Sequence, residues 1–260
     1  MLHWLARIIG RRLAAYLTQP VAQYERFSTV PESELRKLLR PGDILLVEGN
    51  LRLSSAIKYL TQSTWSHACL YIGDVLPKSI DGAAQELIEA DMIQGVVAVP
   101  VAKYSGLNTR ICRPMGITDE DMQRLIEFTI AQIGHQYDVK NLFDLARYLL
   151  PVPLPARWRR RALAFGSGDP TRAICSTLIA QAFQLVDYPI LARRGTQRES
   201  TTNLDENEIL LARHYSHFTS RDFDLSPYFA IVKPAIEQHF DYKTLKWEKE
   251  ILEYKKHRQH

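Results

Sequence analysis

The chain reads as an α+β domain, with short strands pairing antiparallel and helices packed against them. Three observations predict this. Ser66 to Gly73 and Gln85 to Ala90 are two compact β-rich runs separated by a loop holding Pro77 and Gly82. Sequential strands joined in this way normally pair with each other, here antiparallel. Second, Ile117 to Ile133 is announced as a helix by Thr118 at its N-cap and by Asp119 and Glu120 in its first turn. Third, Leu178, Ile179, Ala182, Phe183 and Val186 recur at the spacing of one buried helix face.

The elements follow in order. After a polar hinge at 28–32, a short helix over Glu34 to Leu39 leads to the turn Pro41-Gly42-Asp43 and the strand Ile44 to Val47. Asn50 to Thr61 has helical spacing, with Leu53, Ile57 and Leu60 on one side. In the strand that follows, His67, Cys69 and Tyr71 share one face and Ala68, Leu70 and Ile72 the other. Gln85, Leu87 and Glu89 share one face of the next strand, so its pairing can bring Glu89 alongside His67. Gly95 to Pro100 and Thr109 to Pro114 read as two further strands. Leu142 to Leu150 is helical, and 151–171 is an irregular insertion with three early prolines and the run Trp158-Arg159-Arg160-Arg161. A loop of that length in a compact domain is usually functional or disordered. Arg193 to Asn203 reads as loop, Ser216 to Tyr228 as turns, and Phe229 to Lys233 as a last strand. The tail from Gln238 carries Trp247, Ile251 and Tyr254 at helical spacing among charges.

Composition narrows the function. With 260 residues, 46% of them hydrophobic and 24% charged, the chain is an ordinary globule and not a disordered or fibrous one. A net charge of +4 and a pI near 8.9 allow an anionic partner without selecting one, and no nucleic acid is expected. Cys69, Cys112 and Cys175 are odd in number and widely spaced, which fits reduced thiols in a cytoplasm. No Cys-x-x-Cys pair suggests structural zinc, and no apolar run is long enough to span a bilayer. Residues 1–18 place Arg7, Arg11 and Arg12 among Leu2, Leu5, Ile8, Ile9, Leu13 and Leu17. Charge interrupts the apolar run too early for a signal peptide, so the segment reads as a basic amphipathic helix. It either packs on the domain or lies in a membrane interface.

Cys175 stands just ahead of its helix's apolar pattern, in the first turn. Unpaired backbone N–H groups and the helix dipole there stabilise a thiolate and could hold an oxyanion. Such a nucleophile needs a base and a group that orients the base. Of eight histidines, only His67 falls inside a confident strand, with the acid-bearing strand of Glu89 nearby.

The ordered set resembles the circularly permuted papain-like (NlpC-type) cysteine hydrolases of the YiiX/YaeF group. The residues that carry it are Arg40-Pro41-Gly42-Asp43-Ile44-Leu45, Trp65-Ser66-His67-Ala68-Cys69-Leu70-Tyr71-Ile72-Gly73, Leu87-Ile88-Glu89-Ala90, Gly134-His135-Gln136-Tyr137-Asp138 and Ile174-Cys175-Ser176-Thr177-Leu178-Ile179. The cysteine comes last, as in the permuted group. The resemblance implies a permuted papain-like fold over 40–235, an antiparallel sheet or barrel packed on the nucleophile helix. Residues 1–39 would be an amphipathic extension and 236–260 a charged helical tail. It implies Cys175 as nucleophile, His67 as base, Glu89 as the group orienting the imidazole, and a thioester acyl-enzyme. Tyr137, with Ser66 and Ser176, is expected on the oxyanion and substrate side. No cofactor and no metal are expected. The substrate would be peptide- or lipid-like, cleaved at an amide, ester or thioester, in the cytoplasm or at the inner membrane surface through residues 1–20. Other readings are an acyltransferase with the same triad, a silent lipid- or peptide-binding module, and a zinc site built from His67, Cys69 and Cys175.

Overall fold

The computed structural model describes residues 16, 19–21, 28, 30–91, 94–136, 174–191, 193–194, 210–211 and 214–233. The expectations for residues 1–15, for Tyr137, for the helix at 142–150, for the insertion at 151–171 and for the tail from 236 lie outside them.

Helix α1 (Glu32–Leu38) begins earlier than its apolar pattern suggests, because Pro31 precedes its first turn with φ −58° and ψ 148°. The chain then turns at Pro41-Gly42. Gly42 has φ +88°, and a Cβ there would strike the Met122 side chain, so the turn requires glycine. Asp43 is buried behind the turn. Its carboxylate accepts from the Arg40 backbone N–H at 2.8 Å and from Arg113 Nε and Nη2 at 2.9 and 2.7 Å. Burial raises the Asp43 pKa, with Arg113 pulling against it.

Strand β1 (Ile44–Val47) is buried on both faces, as a continuous apolar run should be in a central strand. After helix α2 (Arg52–Thr61) come β2 (His67–Tyr71), β3 (Leu87–Asp91), β4 (Gly95–Val99), a 3-10 turn (Val101–Tyr104) and β5 (Thr109–Pro114). Helix α3 (Asp119–Ala131) has the expected cap, the Thr118 side chain accepting from the Asp121 backbone N–H. Helix α4 (Ile174–Leu185) carries Cys175 in its first turn. Then come a two-residue pair, β6 (Arg193–Arg194) with β7 (Leu210–Leu211), a 3-10 turn (Tyr215–His217), helix α5 (Ser220–Leu225) and β8 (Phe229–Val232).

The main sheet runs β4-β3-β2-β1-β5-β8, every pair antiparallel. Among the described residues it is open, so of the expected sheet or barrel the sheet is what forms. Alternation along the strands builds two cores. On one face Leu46, Ala68, Leu70, Ile88 and Ala90 pack with Leu178, Ile179, Ala182 and Phe183 of α4. On the other Leu45, Val47, Cys69 and Leu87 pack with Leu35 of α1 and with Val101 and Tyr104 of the 3-10 turn.

Two expectations are corrected. Arg193 to Asn203 is not all loop, since 193–194 form β6. Ser216 to Tyr228 is not only turns, since it contains α5. That helix is too short for an apolar period. Its signal was the capping box Thr219-x-x-Asp222, in which each side chain bonds the other residue's backbone N–H.

Candidate active site

Sheet register explains how the site assembles. Odd-numbered residues of β2 hydrogen-bond toward β1, as Tyr71 N–H does to the Asp43 carbonyl at 2.8 Å, so even-numbered ones face β3. There Ile72 N–H reaches the Glu86 carbonyl at 2.9 Å. Pairing between β2 and β3 includes Leu70 with Ile88 and Tyr71 with Leu87, and goes no further. Beyond that point the two strands separate. The Ala68 N–H, left without a strand partner, donates instead to the sulfur of Cys175. The first turn of α4 is thereby held at the opening of the ladder.

His67 lies at the same opening. Its Nε2 is 3.0 Å from Glu89 Oε2, which leaves Nδ1 as the ring nitrogen free for a thiol. Cys175 is buried, and burial alone would raise its thiol pKa. The charge and hydrogen bond of His67, then the Ala68 N–H and the Ser220 hydroxyl, bring it below the ordinary thiol value. His67 answers in the opposite sense. Burial works to lower its pKa, but the sulfurs of Cys69 and Cys175 beside it raise it well above the ordinary imidazole value. Cys69 is itself held up by burial, so Cys175 is the thiol that ionises. The pair therefore favours thiolate and imidazolium. The side chain of His67 keeps 23% of its surface exposed while Glu89 keeps 1%, so the ring is reached from solvent and the carboxylate is not.

Glu89 is surrounded by donors. Besides His67 it receives Tyr104 Oη on Oε2, Lys103 Nζ on Oε1, and the Cys69 thiol at 3.5 Å. Burial pushes its pKa up, yet His67 and Lys103 hold it far below the usual carboxylate range. Tyr104 is pushed the other way by burial and by Cys69 and Glu89, so it stays a phenol that donates. Its ring also lies 5.9 Å from that of His67, tilted by 45°.

The structure thus brings Cys175, His67 and Glu89 together. It places the two predicted serines elsewhere. Ser66 Oγ accepts from the Gly49 N–H at 2.9 Å, and Ser176 Oγ donates to the Phe218 carbonyl at 2.8 Å. Both are buried, and these bonds anchor backbone. Tyr137 is outside the described residues.

Sequence reasoning missed Lys103, Tyr104 and Ser220. The first two fall between two of the expected strands, and Ser220 falls within the stretch read as turns. Ser220 is buried, its hydroxyl meets no nitrogen or oxygen partner among the described residues, and it faces the Cys175 sulfur. Only the capping box ahead of it carried a signal.

A metal fits poorly. Donor atoms of His67, Cys69 and Glu89 lie within 4.8 Å of one another. Glu89, however, already holds Lys103, and a second cation would meet that ammonium and displace His67 from its partner.

Residues 38–148 match the family of permuted papain-like amidase enzymes of the YaeF/YiiX type. The match contains His67 and Glu89 and stops short of Cys175. Among curated proteins none matches. One solved structure that is similar is titled as the metalloprotein yiiX from Escherichia coli. It is 15% identical with a TM-score of 0.42, covering 75% of this chain and 96% of that one.

Proposed function

We propose, from the premise that the match over 38–148 supports a YiiX-like, permuted papain-like amidase family and so an enzyme of the cysteine hydrolase class, that this protein works through Cys175, His67 and Glu89. The observation that carries this is the arrangement of the three. A thiol in the first turn of a helix is drawn below its ordinary pKa by an imidazole whose far nitrogen is 3.0 Å from a buried carboxylate.

The chemistry follows from those atoms. The Cys175 thiolate attacks the carbonyl carbon of an amide, and the bond that forms is carbon to sulfur. Charge moves to the carbonyl oxygen, where the N–H groups of the α4 first turn can receive it. As the carbon–nitrogen bond breaks, imidazolium His67 gives its proton to the leaving amine and a thioester remains on Cys175. Neutral His67 then takes a proton from water as its oxygen attacks the thioester carbon; the carbon–sulfur bond breaks, the carboxylic acid leaves, and the thiolate–imidazolium pair is restored. Glu89 keeps the ring turned and favours its charged form throughout.

Support for the substrate class is compositional. The basic amphipathic segment within residues 1–20 and the tryptophan–arginine run at 158–161 favour a peptide- or lipid-like acyl substrate at a membrane surface. An electrophilic acyl probe is expected to label Cys175, read by peptide mass spectrometry, and His67→Ala is expected to abolish the label. Equal labelling in that variant would remove the base from the scheme.

A further inference from the structure

We propose that Lys103 and Tyr104 are positioning residues of this site, a two-residue clamp that grips both oxygens of Glu89 so that Oε2 faces His67 Nε2. The proposal rests on the reading of Cys175, His67 and Glu89 above and adds to it the part that fixes the third member.

The clamp is built on an anchored turn. The 3-10 turn Val101–Tyr104 follows β4 directly and is pinned at its start, where Val101 is fully buried and its N–H reaches Glu86 Oε2 at 3.3 Å. Consecutive residues of that turn then take different oxygens of one carboxylate. Lys103 Nζ donates to Oε1, and Tyr104 Oη donates to Oε2, the oxygen that also bonds His67. A carboxylate has roughly four lone-pair sites. With Lys103, Tyr104, His67 and the Cys69 thiol upon it, Glu89 cannot rotate without losing a partner. The Tyr104 ring lies beside the His67 ring as well, so one residue constrains both members of the pair.

Lys103 has a second effect. Its side chain is 40% exposed and stands on the carboxylate nearest the imidazole. Around His67 stand Cys69 on its own strand, Glu89 on β3, Tyr104 on the turn and Cys175 on α4, while Lys103 reaches it through Glu89 and the Ser220 hydroxyl of α5 through the Cys175 sulfur. Lys103 is the cation among the partners of Glu89. A positive charge in such a coupled set makes every neighbouring proton easier to lose. Removing it moves both steps, formation of the thiolate–imidazolium pair and its loss, to higher pH. A residue that merely filled a buried carboxylate's hydrogen bonds would not move both limbs together.

The test is alkylation of Cys175 by iodoacetamide in the full chain, followed from about pH 4 to about pH 10. Lys103→Met is expected to move both limbs upward by about half a unit, and Lys103→Arg to return them most of the way. Tyr104→Phe keeps the ring but drops the donor, and is expected to slow the neutral plateau severalfold with an unchanged thermal midpoint. Limbs that stay in place in Lys103→Met, together with an unslowed plateau in Tyr104→Phe, overturn the clamp. If the unaltered protein has no acid limb that disappears in His67→Ala, the Cys175–His67 reading falls first. That failure is distinct, since it needs neither Lys103 nor Tyr104 variant.

Discussion

Ser220 illustrates how a single atom can serve chemistry at the expense of stability. A buried hydroxyl without a nitrogen or oxygen partner carries a desolvation cost of about 1–3 kcal/mol. Facing the Cys175 sulfur, it recovers some of that only when the sulfur is charged. Ser220→Ala is therefore expected to leave the urea midpoint unchanged or higher, while the acid limb of Cys175 alkylation moves to higher pH. A lower midpoint with an unmoved limb would make the hydroxyl structural. Glu89 gives the opposite sign. Its folded pKa lies below the unfolded value near 4.3, so its stabilisation is present above that value and lost as pH falls toward the folded one. Stability measured below about pH 4.5 should drop in the unaltered protein, and drop less steeply in Glu89→Gln.

At the scale of elements, the site depends on pieces that never touch it. The turn before β1 is held by Arg113 on β5 reaching across to Asp43, and β1 in turn carries β2 and its His67. Asp43 is 1% exposed, so removing its partner leaves a buried charge. Arg113→Met should cost about 3 kcal/mol in urea unfolding. A loss under about 0.5 kcal/mol would mean that the turn holds by its backbone alone. Helix α4 is positioned by similar indirect means. Ser176 ties it to the carbonyl of Phe218, and the Thr219–Asp222 capping box then sets where α5 and Ser220 begin. The 3-10 turn is the counterpart on the other face of the sheet, placing Lys103 and Tyr104 from the side opposite the α4 core.

At the scale of the whole molecule, one sheet separates two cores, and the reacting groups meet where two of its strands part. The N-terminal segment bears on this frame too. Arg52 N–H donates to the Gln19 carbonyl at 3.0 Å, Val21 N–H to the Asn50 carbonyl at 2.9 Å, and Arg52 stacks on Tyr16 at 4.1 Å. Tyr16, Gln19 and Val21 are thus moored at the start of α2. Among the described residues no helix is long and apolar enough to cross a membrane. If residues 1–20 serve as an interfacial anchor, the full chain should sediment with anionic liposomes and a chain lacking them should remain in the supernatant, the difference shrinking as salt is raised. Equal sedimentation would assign the segment to packing on the domain.

Much of this was legible in the chain, and the reason is locality. Alternation along a strand has a period of two, so His67 and Cys69 had to share a face wherever the strand went. Thr118 as a cap, Pro41-Gly42 as a turn and Cys175 in a first turn are likewise settled by neighbours in sequence. Short strands in succession already allowed Glu89 to come alongside His67. What the tertiary structure alone decided is where the β2–β3 ladder stops, which N–H groups that leaves over, and which distant side chains arrive at Glu89 and at the sulfur. Lys103, Tyr104 and Ser220 carry no local mark of that role, because register and the crossing of elements are set by how two cores pack and not by any short run of residues.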